Sequence, residues 1–270
     1  MAMLQGVVAP LQKRLGDGAT PVAIAGLACI AAILVLTLIF RNSDPASSGY
    51  RIGVLVLDRW SSIFPYPFTI QNLEHLMFAL GLGGLWARQQ TGKRELAFIE
   101  MGFLPEDAHT VLQAEDLGPI RRSVSGRFDG ENGFLPSLID LCVLQFQASR
   151  SVDQTVSVLN SSLELIAHRV DLRYQMSRYL VWLIPTIGFI GTVAGIAATL
   201  GVVSGGEPDL GKLAATLTVA FDTTIVALIE SALLVLAMNL VQAREERAVN
   251  LAGQYALRNL INRLYSGRVE

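Results

Sequence analysis

The sequence predicts an all-α integral membrane protein with four membrane-spanning helices, the third and fourth running on as long helices outside the bilayer. Three observations lead there. Hydrophobic residues make up 51% of the 270-residue chain and charged residues only 16%, against roughly 25% charged in soluble domains. The apolar residues gather in four blocks instead of spreading at amphipathic spacing, and mean hydropathy is +0.45. Between and after those blocks, apolar residues recur at three and four over long stretches. The formal net charge of −2 gives a nucleic-acid partner no electrostatic support.

Residues 1–20 form a short polar N-terminal segment carrying Lys13 and Arg14, and 21–40 form the first span. A bilayer core about 30 Å thick needs roughly 20 apolar residues in helix. A cleaved signal peptide competes with this reading, but the run exceeds a signal core and no small-x-small site closes it. Residues 41–67, rich in Pro, Ser and Asp, read as an outer loop that includes Arg41, Arg51 and Arg59. The second span, 68–87, is the weakest, because Gln71, Asn72, Glu74 and His75 occupy its first half; an interfacial helix is its competing reading. Gly81, Gly83 and Gly84 fit close helix packing in lipid.

Residues 88–179 are the longest polar region. Arg88, Lys93 and Arg94 at one end and Arg169, Arg173 and Arg178 at the other place it in the cytoplasm by the positive-inside rule. Phe103-Leu104-Pro105, Leu117-Gly118-Pro119 and Asp129-Gly130-Glu131-Asn132-Gly133 punctuate it as loops. From Leu138 through Val152, Leu159, Ile166 and Val170 to Met176 the spacing is helical, predicting one helix from about Ser151 to Val203, roughly 80 Å long at 1.5 Å per residue. It contains the third span, 180–203. A short outer loop, 204–212, carries Glu207 and Asp209; the fourth span is 213–241 and the helical tail 242–270 returns to the cytoplasm with Arg244, Arg247, Arg258 and Arg263. The two helical projections can pack side by side as a stalk.

Cys29 and Cys142 lie far apart in the sequence, and His75, His109 and His168 are scattered, so neither a disulfide nor a metal site is expected. The chain lacks a Gly-x-Gly-Asp pair, a Ser and His dyad in neighbouring spans and a His-Glu-x-x-His motif, and is not expected to be an enzyme.

The informative polar groups sit inside the last two spans. An acid at mid-membrane costs roughly 2.5–3.5 kcal/mol on insertion scales, yet the fourth span holds Asp222 and Glu230. Thr216, Thr223 and Glu230 are seven apart and share a helix face, with Ala220, Thr224, Ala227 and Ser231 on an adjoining stripe. On the third helix Thr192 and Thr199 are seven apart, and Gly188, Gly191 and Gly195 open the backbone to close approach. Each Thr can instead bond back to its own helix. So much polar surface predicts several copies in a ring, since one chain is not expected to hide it from lipid. Asp222 lies about 200° around the helix from Thr224, so Thr224 is assigned to the lumen and Asp222 to a subunit contact with Lys212, Thr218 or His75 of a neighbour. Glu74 and Glu230 read equally well as permeation groups or as structural acids.

The third span, Ile184-Pro185-Thr186-Ile187-Gly188-Phe189-Ile190-Gly191-Thr192-Val193-Ala194-Gly195-Ile196, resembles that of the MotA/TolQ/ExbB proton-channel family, with its Pro followed by G-x-x-G-T-x-x-G. The fourth, from Ala220-Phe221-Asp222-Thr223-Thr224 to Asn239, resembles the family's last span. The resemblance covers roughly the last 90 residues. It places Thr192 and Thr224 on the family's two pore-facing threonines; the family's small Gly is Ala227 here, its later Pro is Leu233, and Asp222 and Glu230 have no counterpart in the TolQ and ExbB patterns. Four spans are more like the MotA arrangement than the three-span ExbB one.

The resemblance implies an ion-channel subunit of a rotary motor in a bacterial inner membrane, multi-pass, with both termini cytoplasmic and 41–67 and 204–212 periplasmic. It implies a homo-pentamer around a dimer of single-span partners like MotB, TolR and ExbD, each contributing an Asp, and no cofactor beyond the translocated H+ or Na+. The candidate ion pathway is then Thr192, Thr224, Thr223, Glu230 and Asp222, with Pro185, Gly188, Gly191 and Gly195 as packing or hinge positions. The alternative function is a non-conducting membrane scaffold that holds a partner complex.

Overall fold

The computed structural model describes residues 2–44, 47–58, 65–107, 109–125, 133–203 and 210–265. Arg59, Arg127, the punctuation at 129–132 and the acids Glu207 and Asp209 lie outside the described residues, as do the side chains of Lys13, Arg14 and Lys212. Among the described residues the chain is all-helical, without a strand. Eight α-helices follow one another: α1 Ala2–Ile39, α2 Ser48–Leu57, α3 Ile70–Glu100, α4 Leu117–Val124, α5 Phe134–Ser149, α6 Val152–Arg173, α7 Gln175–Val203 and α8 Leu210–Asn259.

Three helical stretches are long and apolar enough to cross a membrane: Gly18–Asn42, Val152–Gly201 and Leu213–Arg263. Helix α3 is not among them. The polar residues in its first half set it apart, and they point inward: Gln71, Asn72 and Glu74 are buried, while Leu73, Leu82 and Trp86 are exposed.

The chain divides into two compact units, one of residues 1–87 with 175–239 and one of 88–174 with 240–270. In the first, α1 packs closely on α3. A β-carbon at Gly83 would lie 2.8 Å from Ala25 Cβ and 2.8 Å from the Pro21 carbonyl, so this contact needs glycine. Exposed Leu27, Leu34 and Leu38 on α1 and Phe189, Ile196 and Leu200 on α7 form the apolar exterior of a helix bundle suited to lipid rather than water.

The loop expected over 41–67 contains a helix. Ser47 caps α2 by accepting the Tyr50 N–H at 3.1 Å, satisfying an end donor that a helix start leaves open. Asp58 then ends the helix in the left-handed region at φ 48°. The apolar run Ile52 to Leu57 is too short to stand out from the Pro and Ser that flank it; burial of Val54 and Leu57 decides for helix.

In the second unit the core is Leu135, Leu138, Ile139, Val143 and Phe146 of α5 with Val170 of α6. Ser151 caps α6 by accepting the Gln154 N–H at 3.3 Å. Leu163 of α6 meets α8 so closely that a β-carbon on Gly253 would stand 2.8 Å from it, so the two helices pack side by side. The single helix expected from Ser151 to Val203 is interrupted at Tyr174, which separates α6 from α7. The side chain of Tyr174 is fully buried, and its hydroxyl donates to Glu245 of α8 at 2.9 Å. Arg173 donates to the other oxygen of Glu245 at 2.9 Å. Burial and the neighbouring Glu245 push the Tyr174 phenol well above its usual range, so it stays a donor. The C-terminal end is strapped to the loop after α3: Arg263 donates to the carbonyls of Pro105 at 2.6 Å and Glu106 at 3.1 Å.

Both cysteines are free. Burial pushes the Cys142 thiol up to about 12, which leaves it without thiolate reactivity.

Candidate ion pathway

Helices α7 and α8 approach through glycines. A β-carbon on Gly188 would lie 2.5 Å from Ala227 Cβ, one on Gly191 2.7 Å from Thr223 Oγ1, and one on Gly195 would overlap Ala220. As the α7 numbers rise their α8 partners fall, so the two helices run antiparallel. The spacing of three and four on each helix is the one that keeps side chains on a single face. Pro185 lies inside α7, where its ring removes one backbone donor.

This close approach gathers three hydroxyls around two carbonyls. Thr224 Oγ1 donates to the Gly188 carbonyl at 3.0 Å. Thr223 Oγ1 reaches the Ala220 carbonyl at 2.8 Å and the Gly188 carbonyl at 3.3 Å. Thr192 Oγ1 reaches the Ala220 carbonyl at 3.0 Å and the Gly188 carbonyl at 3.3 Å, and it also bonds Thr224 Oγ1. A hydroxyl carries one proton and can accept others. Each therefore has alternative acceptors within reach, and the cluster can rearrange its protons without moving its helices. Thr192 and Thr224 are half-buried and Thr223 is buried. Thr199 bonds back to its own Gly195 carbonyl at 2.8 Å.

Two of the acids find partners within the chain. Asp222 is paired within its own chain to Arg51 of α2, by Nη1 to Oδ2 at 3.0 Å and Nη2 to Oδ1 at 3.1 Å. Glu230 Oε1 bonds His75 Nδ1 at 2.5 Å, and His75 Nε2 bonds the Val56 carbonyl at 2.7 Å. Asp222, Thr223 and Glu230 are thus buried within the one chain. The physical reason is that α2 and α3 bring their own polar partners inward. Ser231 likewise donates to the Val181 carbonyl of α7 at 2.9 Å.

Arg51 and His75 as partners were missed. Arg51 was read as a loop charge, and nothing in a linear pattern brings it to a position 171 residues away. The Glu74-His75 pair in an apolar block was a visible signal, since ionisable residues inside a span are partnered and functional by default.

The fold and this site define a multi-pass, all-helical membrane protein whose last two spans enclose a hydroxyl cluster. Residues 134–253 match the sequence model of the MotA/TolQ/ExbB proton channel family. No curated protein and no solved structure matches the chain.

Proposed function

We propose that this chain is the proton-channel subunit of an ion-driven rotary motor in a bacterial inner membrane. Several copies, five in the arrangement its family resemblance implies, surround a dimer of single-span partners that each bring an Asp. The observation that carries the reading is the cluster of Thr192, Thr223 and Thr224 around the Gly188 carbonyl, within the region that matches a proton channel family.

A proton crosses past these hydroxyls and neutralises the partner's carboxylate. The neutral acid then passes a low-dielectric wall that its charged form cannot enter, because desolvation penalises the charge. Re-ionisation on the cytoplasmic side makes the step directional, driven by about 2.3 kcal/mol per charge per 100 mV. Four spans fit this scheme, with α3 supplying the second: its buried Gln71, Asn72 and Glu74 and exposed Leu73 and Trp86 are the pattern of a span whose polar side faces protein. Both termini then lie in the cytoplasm, and the second unit is cytoplasmic.

The test is proton flux in native membranes containing the full chain and its partner. Thr192→Ala and Thr224→Ala, singly and together, are expected to lower flux at least tenfold with unchanged protein in the membrane. Flux and motor output that survive the double variant refute the channel reading in favour of a scaffold.

A further inference from the structure

One acid inside the helix bundle is held by nothing. Glu74 is fully buried, and neither of its carboxyl oxygens has a hydrogen-bond partner. Gln71, one turn earlier on the same face of α3, is also fully buried with both amide atoms unpartnered. Buried polar atoms are nearly always satisfied, so four unpartnered ones on residues one turn apart call for an occupant. The carboxyl points at the α7–α8 contact: a β-carbon on Gly188 would lie 3.2 Å from Glu74 Oε1 and 3.3 Å from the Thr223 carbonyl. Glu74 therefore borders the hydroxyl cluster from the α3 side.

The other two acids differ in kind. Asp222 is paired with Arg51 and Glu230 with His75, whereas Glu74 has no such partner. We propose that Glu74 is a proton-carrying residue of this subunit, one helical turn from Gln71, and that the species it takes up is a proton borne by water. The inference rests on the channel reading above. A hydronium gives its proton to a carboxylate oxygen of Glu74, leaving water and a neutral acid; the new O–H bond breaks when the proton passes to water on the other side, restoring the carboxylate. No electron moves.

The groups facing Glu74 fit that role. From α8 it meets the charge of Glu230, itself bonded to His75 of α3; α7 brings uncharged Gly188; α1 places Cys29 within electrostatic reach of Glu230.

The test combines flux with dicyclohexylcarbodiimide, which modifies protonated carboxyls in apolar surroundings. In native membranes, wild-type flux is expected to be blocked by the reagent, with the adduct mapped to Glu74. Glu74→Gln is expected to cut flux at least tenfold at unchanged membrane content, and Glu74→Asp to retain part of it. If wild type and Glu74→Gln conduct equally, the inference falls while the channel reading stands. If wild type does not conduct, both fall. Should Glu74→Gln fail to accumulate, wild-type labelling decides: no adduct at Glu74, or flux that requires sodium, overturns the proposal.

Discussion

His75 of α3 is clamped between Glu230 of α8, at 2.5 Å from Nδ1, and the Val56 carbonyl of α2, at 2.7 Å from Nε2. One imidazole therefore ties the consecutive helices α2 and α3 to α8, 155 residues further along the chain. Removing it leaves Glu230 buried without its partner, and a hydrogen bond to a charged group is worth roughly 1.5–3 kcal/mol. His75→Ala is expected to lower the thermal stability of the detergent-solubilised chain by about that amount. His75→Ala with Glu230→Leu is expected to recover much of the loss, because the orphaned acid is gone. Additive losses in that cycle would show that the two side chains do not interact.

The Arg51–Asp222 pair is lopsided: the arginine side chain is 55% exposed and the aspartate 4%. Truncating the arginine strands a buried carboxylate, whereas truncating the aspartate frees a cation that water can solvate. Arg51→Ala is therefore expected to destabilise more than Asp222→Asn, and Arg51→Ala in the Asp222→Asn background to cost little. Protease sensitivity of α2 in membranes reads this out. Equal sensitivity in the two single variants contradicts the pairing.

These two pairs mark the limit of what the sequence can tell. Helix class, the apolar helices around 21–40, 180–203 and 213–241, and the face shared by Thr223 and Glu230 follow from composition and a period of 3.6. The contact of Gly188, Gly191 and Gly195 with a neighbouring helix was legible too, since small residues at that spacing have few other uses in a span. Helix α2 was not, because ten residues between turn-forming neighbours carry too few periods to outweigh local Pro and Ser. Nor was the interruption at Tyr174, where a long-range bond to Glu245 overrides a continuous local pattern. The hydroxyl partners of Thr192 were undecidable in principle: bonding back and bonding across place the same residue on the same face, and the structure does both.

The glycines of α7 are expected to separate by environment. Gly191→Ala forces a methyl to within 2.7 Å of Thr223 Oγ1, and Gly188→Ala meets Ala227 and Glu74 at once. Both should push α7 from α8, with losses of about 1–3 kcal/mol typical of overpacking, and lower flux. Gly201→Ala meets nothing within 4 Å and should raise helix stability by up to about 1 kcal/mol. Thermal unfolding of the three variants in one detergent gives the order; Gly201→Ala as the most damaging would contradict the helix contact described here.

In the second unit, Glu95 gives a pH dependence with a defined sign. It is buried, and it accepts the Phe134 N–H at the start of α5 at 2.7 Å. Burial pushes its carboxyl from 4.5 up to about 7, with Glu245 adding to the rise, against the pull of the Phe134 N–H, Arg94 and Arg173. Between those values the folded chain keeps a proton that the unfolded chain has lost. The stabilisation is complete below about pH 4.5 and is lost as pH rises through about 7; the gap corresponds to roughly 3 kcal/mol. Glu95→Gln keeps an acceptor for Phe134 and cannot ionise. It is expected to be more stable than wild type at pH 8, with an advantage that shrinks toward pH 5. Unfolding midpoints of the two proteins measured across pH 5–8 decide it, and an advantage for the variant that does not change over that range would show that Glu95 does not titrate there.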